Sequence, residues 1–335
     1  MLQAGTQETA PFLLVDGNLG VPKNVLYALY PVALSVFANA RANFNRGLDT
    51  SCISDLKAST AAILLANPAH QTALNMRKRL IHKGALEPVH ELGLTASLLS
   101  SRNCSNQAIL WYHRQWLLQR CYGHTKTESS ARDSAEMASM DVPTIPLDVI
   151  RTELSVASNA SEIYPRNYFS WMHRRFCVQS VLSHSNLRPH SLPIQLFIAE
   201  EISAVRLWIE RHISDASAVH YLITLTVSLN HTHLKDIMGQ IPIGPHDAEF
   251  DSLGSSAINH ALGLVKSYPN HECLWMYLRA ALKLGEFSDD GHDGYVQRIL
   301  RDIVDPLLEQ NGREKDIPVA SWNASRFRAF YLGGR

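Results

Sequence analysis

The sequence predicts an all-α fold, a superhelix of stacked helical hairpins. Three observations predict it. The six-residue word Trp171-Met172-His173-Arg174-Arg175-Phe176 recurs in weaker forms along the chain. Between its copies, apolar residues recur at helical spacing, and no strand run or hairpin signal stands out. Self-similarity at intervals of roughly 34 to 47 residues marks a repeat array, in which each hairpin buries its apolar face against its neighbours and the stacked surface carries the function.

Composition agrees. The 335 residues are 46% apolar and 19% charged, enough to bury a large core without separate domains. Thirty-one basic residues balance thirty-one acidic ones, which removes the electrostatic argument for a nucleic-acid partner.

Residues 1–20 are mixed and glycine-containing and are expected to form a mobile leader, with one repeat domain over 21–335. They lack a basic segment followed by a compact apolar core and a cleavage site, so the cytosol is the expected compartment. The longest apolar stretch, Val25 to Ala40, contains Pro31, Ser35 and Asn39. It falls short of the roughly 20 residues that span a bilayer and reads as a buried helix with no transmembrane segment.

The first copy opens at Asn67-Pro68, with Leu74 in the place of the tryptophan and Arg77-Lys78 in the place of the arginine pair. The second is Trp111-Tyr112-His113-Arg114-Gln115-Trp116. From 123 to 146 the chain turns polar and small, ending in Pro143 and Pro146, as expected of a disordered insertion between repeats. The third and strongest copy follows Tyr164-Pro165, and a proline at the first helical position costs no hydrogen bond, so the dipeptide reads as a helix start. Counting from Tyr168, Trp171 and Arg175 fall on one helix face, beside an apolar stripe of Phe169, Met172 and Phe176.

Leu196 to Ile209, with Ile198, Ile202, Val205 and Ile209 at helical spacing, reads as a partner helix. A weak copy runs from Ser214 through Val219 to Leu222. Tyr268-Pro269 opens Trp275-Met276-Tyr277-Leu278-Arg279, and Trp322-Asn323-Ala324-Ser325-Arg326 closes the series. The tryptophan positions 74, 111, 171, 219, 275 and 322 are separated by 37, 60, 48, 56 and 47 residues. Loops at Ser183 to Pro193, Gly239 to Gly254 and Gly285 to Gly294 account for the uneven intervals.

Each conspicuous residue has a plain structural role beside a functional one. Trp111, Trp171, Trp275 and Trp322 are expected to lock neighbouring hairpins, because a regularly repeated large aromatic is a packing element. A guanidinium ladder of Arg114, Arg174, Arg175 and Arg279 suits carboxylates, either on a facing protein or within the array. Arg174 and Arg175, adjacent in sequence, cannot both be buried. His113 and His173, two residues after a tryptophan, are expected to be solvated or at a partner interface, since no Cys or carboxylate pattern makes them metal ligands. Cys52, Cys104, Cys121, Cys177 and Cys273 form no C-x-x-C pair, which excludes a disulfide framework and a zinc knuckle. No phosphate loop, His-Glu-x-x-His run or Gly-x-Ser-x-Gly elbow is present, so the chain shows no self-contained active site.

The run Pro165-Arg166-Asn167-Tyr168-x-x-Trp171-x-x-Arg174-Arg175-Phe176 resembles the protein prenyltransferase alpha-subunit repeat, Asn-Pro-Lys-Asn-Tyr-x-x-Trp-x-x-Arg-Arg and an apolar residue. Weaker copies extend the likeness from about Leu64 to Phe327, and its divergent repeat-containing members look most alike. The resemblance implies a tetratricopeptide-like crescent that wraps a beta-type subunit, an alpha/alpha barrel holding the catalytic zinc. It implies a heterodimer that transfers an isoprenoid, here geranylgeranyl, from its diphosphate to a C-terminal cysteine of an acceptor protein, with no cofactor bound by this chain.

In that family one copy's lysine, five residues before the tryptophan, reaches the diphosphate. Arg166 stands there in the best copy, while the others place Ala69, Asn106, Ser214, Asn270 and Ile317, so this frame holds no lysine. Arg166 keeps a permanent charge with a forked donor set suited to phosphate and is expected in the first turn of a helix. It faces either the diphosphate or solvent. Asn167 and Tyr168 match the consensus directly, with Tyr168 placed to stack on Trp171 toward the substrate or to pack between helices. The competing class is a noncatalytic helical scaffold for a peptide or protein.

Overall fold

A computed structural model describes residues 11–15, 18–46, 51–123, 143–185, 191–230, 253–284, 289–309 and 319–332. The chain divides into two compact units, one of residues 1–143 with 154–164 and one of 144–153 with 165–335. Helices dominate both, as the sequence predicts. The expected insertion lies mostly outside the described residues.

The first unit opens with a correction. Within the expected mobile leader, β1 (Leu13–Val15) pairs antiparallel with β2 (Asn18–Gly20), Leu13 opposite Gly20. The sequence signal was Asp16-Gly17 between two apolar runs, a strong hairpin dipeptide. Then follow α1 (Lys23–Asn45), α2 (Ser51–Ala66), α3 (Gln71–His82), α4 (Pro88–Leu99), the single turn α5 (Arg102–Ser105) and α6 (Ala108–Tyr122). The next helix, α7 (Leu147–Ile163), is divided between the units after Glu153.

Local chemistry sets these boundaries. Pro88 opens α4, where its missing N–H costs nothing. Gly84 ends α3 at φ 69°, with Gly84 N–H bonded to the Ile81 carbonyl and Ala85 N–H to that of Leu80, a paired closure that needs a left-handed residue. The longest helix departs from expectation. α1 runs 23 residues, long and apolar enough to cross a membrane, yet only 17% of its most apolar window is buried, so it is not the buried helix predicted.

Unit two continues with α8 (Tyr168–Ser185), α9 (Leu192–Arg211), α10 (Ala216–Asn230), α11 (Leu253–Ser267), α12 (Glu272–Leu284) and α13 (Asp289–Ile299). A π-helical turn (Leu300–Val304), the short α14 (Asp305–Glu309) and α15 (Val319–Leu332) complete it. The three expected loops are each partly helix: α8 extends to Ser185, α11 begins at Leu253 and α13 begins at Asp289.

Buried ion networks repeat through the hairpins. In unit one, Glu91 of α4 accepts from Arg77 Nε at 2.6 Å and Nη2 at 2.5 Å, and pairs with His113 Nε2 at 3.2 Å. Arg77 also donates to Thr60, and Arg114 donates to Thr95 and the Leu92 carbonyl. Within unit two, Glu153 holds His173 at 2.9 Å. Glu201 of α9 accepts from Arg174 Nε at 2.6 Å and Nη2 at 2.8 Å, and from the Tyr221 hydroxyl at 2.6 Å.

One rule covers these pairs. Each carboxylate belongs to the first helix of a hairpin and meets the residue two after the tryptophan position in the second: His113, His173 and Tyr221. The residue three after the preceding tryptophan position, Arg77 or Arg174, reaches the same carboxylate. His113 and His173, expected to be solvated or at a partner interface, and Arg114 and Arg174, expected against carboxylates on a facing protein or within the array, are therefore interior residues, each less than a tenth exposed. A guanidinium at such depth needs acceptors on neighbouring helices, carboxylates for Arg77 and Arg174 and a carbonyl and a hydroxyl for Arg114.

Burial pushes the Glu91 carboxyl up, but hydrogen bonds from His113 and Arg77 and the Arg77 charge outweigh it and hold its pKa below the ordinary value. Burial, ahead of the opposing pull of Glu91, lowers His113. Both shifts have the same consequence. The unfolded chain binds protons that the folded one refuses, so stability falls as pH drops through the ordinary histidine range and falls further through the carboxylate range. Thermal midpoints measured from pH 8 to pH 4 should decline monotonically below about pH 6.5, the ordinary histidine value. A rise on acidification would show that the imidazole is held protonated.

Candidate functional site

The strongest copy of the word builds a two-part depression within unit two. Its frame is set by helix caps. Four residues before three of the tryptophan positions, 74, 171 and 219, a side chain accepts from the free amides of the helix that follows. His70 Nδ1 takes Ala73 N–H, Asn167 Oδ1 takes Ser170 N–H, and Asp215 Oδ1 takes Ser217 and Ala218 N–H. Asn167 is fully buried in this role. It is a helix cap, not the substrate-facing residue expected from sequence.

The prolines of the word precede the helices. α7 ends at Ile163 and α8 begins at Tyr168, so Pro165 and Arg166 form the turn between them, and Pro269 sits likewise between α11 and α12. Arg166 is therefore outside the first turn of α8. It is exposed and adopts φ 58°, and among the described non-glycine residues it alone occupies the left-handed region. Such a conformation costs an ordinary side chain roughly 1–2 kcal/mol. Strain of this kind collects where function holds a side chain in place.

Arg166 lines a cleft of about 260 Å³ together with Pro165, Trp208, Arg211, His212, Ile213, Ser214 and Asp215. Two arginines thus line one concavity. Its floor is the buried Asp215 carboxylate, whose Oδ2 accepts from the indole N–H of Trp171 at 3.2 Å and of Trp208 at 3.1 Å. Four neutral N–H donors satisfy that carboxylate's hydrogen bonds, and its negative charge remains beside the two arginines that line the cleft. The indoles of Trp111 and Trp275 instead donate to the carbonyl six residues earlier, Ser105 and Pro269, each at 2.8 Å. Trp171 departs from its own frame to reach the cap of the next hairpin.

An apolar slot of about 190 Å³ takes one wall from Ala216 onward, the residue that follows the cleft's Asp215. Tyr168, Trp171, Met172 and Arg175 of α8 face Ala216, Ser217, His220 and Tyr221 of α10 across it. The degenerate fourth copy makes this space. Where the strong copy has Tyr168 and Phe169, the weak one has Ala216 and Ser217, and the missing rings leave the slot. Tyr168 is half exposed with its ring edge-on to Phe169, while Trp171 meets Trp208 and Tyr221. Arg175 at the rim is part-buried, so of the adjacent arginines Arg174 turns inward and Arg175 outward.

The remaining expected residues are placed as follows. Trp111, Trp171 and Trp275 are buried, as are Leu74 and Val219 in the same frame. Trp322 is 56% exposed and is not a packing residue. α15 buries Ala320, Asn323, Ala324 and Phe327, and Phe327 meets Trp275 with ring centres 5.5 Å apart, so the tryptophan falls on the opposite face. Arg279 is engaged inside the chain, its guanidinium 3.7 Å from the centre of the Phe330 ring. Among the described residues no three His, Cys, Asp or Glu side chains gather as a metal site.

Sequence reasoning missed Glu91, Glu153 and Glu201. They were findable: each is followed by Leu or Ile, and they precede their tryptophan positions by 20, 18 and 18 residues. It also missed Arg211, which carries no repeat signal and reaches the cleft only through the end of α9.

The comparison with known proteins agrees with this frame. The family described as protein prenyltransferase alpha subunit repeat matches residues 150–181. Protein prenyltransferase alpha subunit repeat-containing protein 1 of Homo sapiens is 27% identical over 350 residues, covering 92% of this chain and 81% of that protein. The protein of the same name from Danio rerio is 30% identical over 286 residues, covering 81% of this chain and 63% of its own length. Protein prenyltransferase alpha subunit repeat-containing protein 1-B of Xenopus laevis is 30% identical over 304 residues, covering 83% and 65%. The chain thus spans just under two thirds of the fish and frog relatives.

Proposed function

We propose that this chain is the alpha-type subunit of a heterodimeric protein prenyltransferase, a reading supported by the match of residues 150–181 to the protein prenyltransferase alpha subunit repeat and by relatives 27–30% identical to it. The depression of unit two faces the active site of a beta-type partner. One observation carries this reading: a permanently charged side chain, Arg166, held in a costly backbone conformation beside Arg211 and next to an apolar slot. A diphosphate suits the paired guanidiniums and an isoprenoid or apolar peptide side chain suits the slot.

The division of labour follows from what the residues can do. Arg166 and Arg211 neutralise charge on a leaving diphosphate without taking or giving a proton, since guanidiniums stay protonated. Tyr168 and Met172 offer an apolar wall. Bond formation at the acceptor cysteine falls to the partner, where a zinc ion would hold the thiolate. The isoprenoid proposed is geranylgeranyl and the setting cytosolic.

The test is transfer of labelled geranylgeranyl diphosphate to cysteine-ending acceptors by this chain co-expressed with a Rab-type beta subunit. Transfer that requires both chains supports the proposal, and a stable inactive pair or no pair moves the assignment to a noncatalytic scaffold. Arg166→Gly separates the two contributions of that residue. Relief of the left-handed strain should raise stability by about 1 kcal/mol, while loss of the charge should lower transfer by roughly 10-fold or more. Unchanged transfer by this variant would remove Arg166 from the site.

A further inference from the structure

Ser214 lines the cleft beside Arg166 and Arg211, and its hydroxyl is held by a residue of the next hairpin. Ser214 Oγ lies 3.0 Å from His271 Nδ1, and both residues are half-buried. His70 shows what such a histidine does elsewhere. It stands four residues before position 74, as His271 stands four before Trp275, the same place in the repeat. His70 Nδ1 takes the Ala73 amide and caps α3. The same atom of His271 goes instead to a serine hydroxyl on another hairpin. A side chain that leaves the capping role of its frame marks a place where another requirement competes with local stability.

Two further contacts fix the arrangement. The Cys273 thiol donates to the Ile213 carbonyl at 3.1 Å, so the start of α12 grips residues 213 and 214 at two points. Burial pushes that thiol up, which keeps it protonated and a donor. The Tyr268 ring stands edge-on to the His271 imidazole, with centres 6.4 Å apart. The hydroxyl is thus set by a supporting layer before any ligand arrives.

Charge shows what a ligand in the cleft still needs. Its charged lining is Arg166 and Arg211 against Asp215, two positive charges and one negative. A diphosphate carries more negative charge than the difference and many acceptor oxygens, so donors that bring no charge of their own have to complete its shell. Ser214 can be such a donor. With the proton on Nδ1, His271 donates to Ser214 Oγ and frees the Ser214 O–H for an acceptor; with Nδ1 bare, the hydroxyl donates to the ring. An anion in the cleft favours the first arrangement.

We propose that Ser214 is a third donor to a diphosphate in this cleft, and that His271 is a positioning residue that acts through it. This rests on the cleft being the diphosphate site.

Calorimetric titration of the full chain with inorganic pyrophosphate tests it. Ser214→Ala should weaken binding on the order of 10-fold, as loss of a hydrogen bond to a charged group does. Ser214→Thr, which keeps the hydroxyl, should recover most of that loss. His271→Leu should weaken binding to a similar degree by itself and add nothing to Ser214→Ala, because it acts only through the hydroxyl. A bond that merely ties two hairpins together would lower the thermal midpoint of Ser214→Ala and His271→Leu and leave their affinity unchanged, and that result overturns the proposal. Additive losses in the double variant do so as well. Binding that depends on Arg166 but is indifferent to Ser214→Ala removes Ser214 alone from the site. No binding by the unaltered chain, or equal binding by Arg166→Gly, removes the diphosphate reading of the cleft and Ser214 with it.

Discussion

Arg174→Ala is expected to lower the unfolding free energy by about 3–5 kcal/mol, read as a shift in the urea midpoint at constant slope. The guanidinium is 6% exposed and grips Glu201 through two nitrogens, and the Tyr221 hydroxyl donates to the same carboxylate. Burial by itself would weaken the charge on Arg174, but Glu201 more than compensates and raises its pKa. Burial, together with the Glu201 charge, raises Tyr221. Truncating the arginine leaves the carboxylate in the interior with one neutral donor, and the cost is that of an uncompensated buried charge rather than of the pair itself. The control is Arg174→Met combined with Glu201→Leu. Removing both charges and filling their volume should restore most of the loss, because an intact buried pair contributes little net stability over well-packed apolar groups. A double variant as unstable as the single one would mean that the network also fixes helix positions that packing alone does not.

Trp171→Ala is the second large effect, again about 3–5 kcal/mol, the range for truncating a buried aromatic. Its indole fills the space between α8 and α10, with Trp208 and Tyr221 as ring neighbours, and its N–H supports the cap Asp215. Loss of the ring therefore opens a cavity and removes one of four donors from a buried carboxylate. Trp322→Ala supplies the contrast. The same residue type in the same sequence frame, but exposed, should change stability by no more than about 0.5 kcal/mol. Equal effects at the two positions would contradict the placement of α15, and calorimetry or urea titration distinguishes them directly.

The same argument explains what could be read in advance. The Trp-x-x-Arg word at 171–174 announced a helix and a repeat because packing and ion pairing both act at helical spacing, three and four residues apart. Its proline announced a boundary, although Pro165 closes the turn rather than opening the helix. The histidines were read as solvated or interface groups because a polar side chain is rarely buried, and the sequence left open whether the arginines meet carboxylates on a facing protein or within the array. Their partners, Glu91, Glu153 and Glu201, lie 14 to 27 residues away from Arg77, His113, His173 and Arg174 in sequence. A local pattern does not reveal a satisfied charge whose partner sits on another helix.

The candidate site divides along the same line. Arg166 and Tyr168 were legible because they belong to the word itself. The cleft and the slot were not, because each is made by two helices, and the features that create them are an arginine at the end of α9 and two small residues where a stronger repeat carries rings.

By itself, then, the sequence determined the helical class, the register of the hairpins and the likeness to the alpha-subunit repeat, since all three are written in spacings of a few residues that a helix converts directly into shared faces. Only the tertiary structure decided which arginines are buried and which face outward, that Trp322 lies outside the packing, that Asn167 is a cap, and that α1 leaves an apolar flank exposed. Those outcomes depend on which side chains from distant helices arrive at the same place, and on whether a charge finds its counterpart before water is excluded.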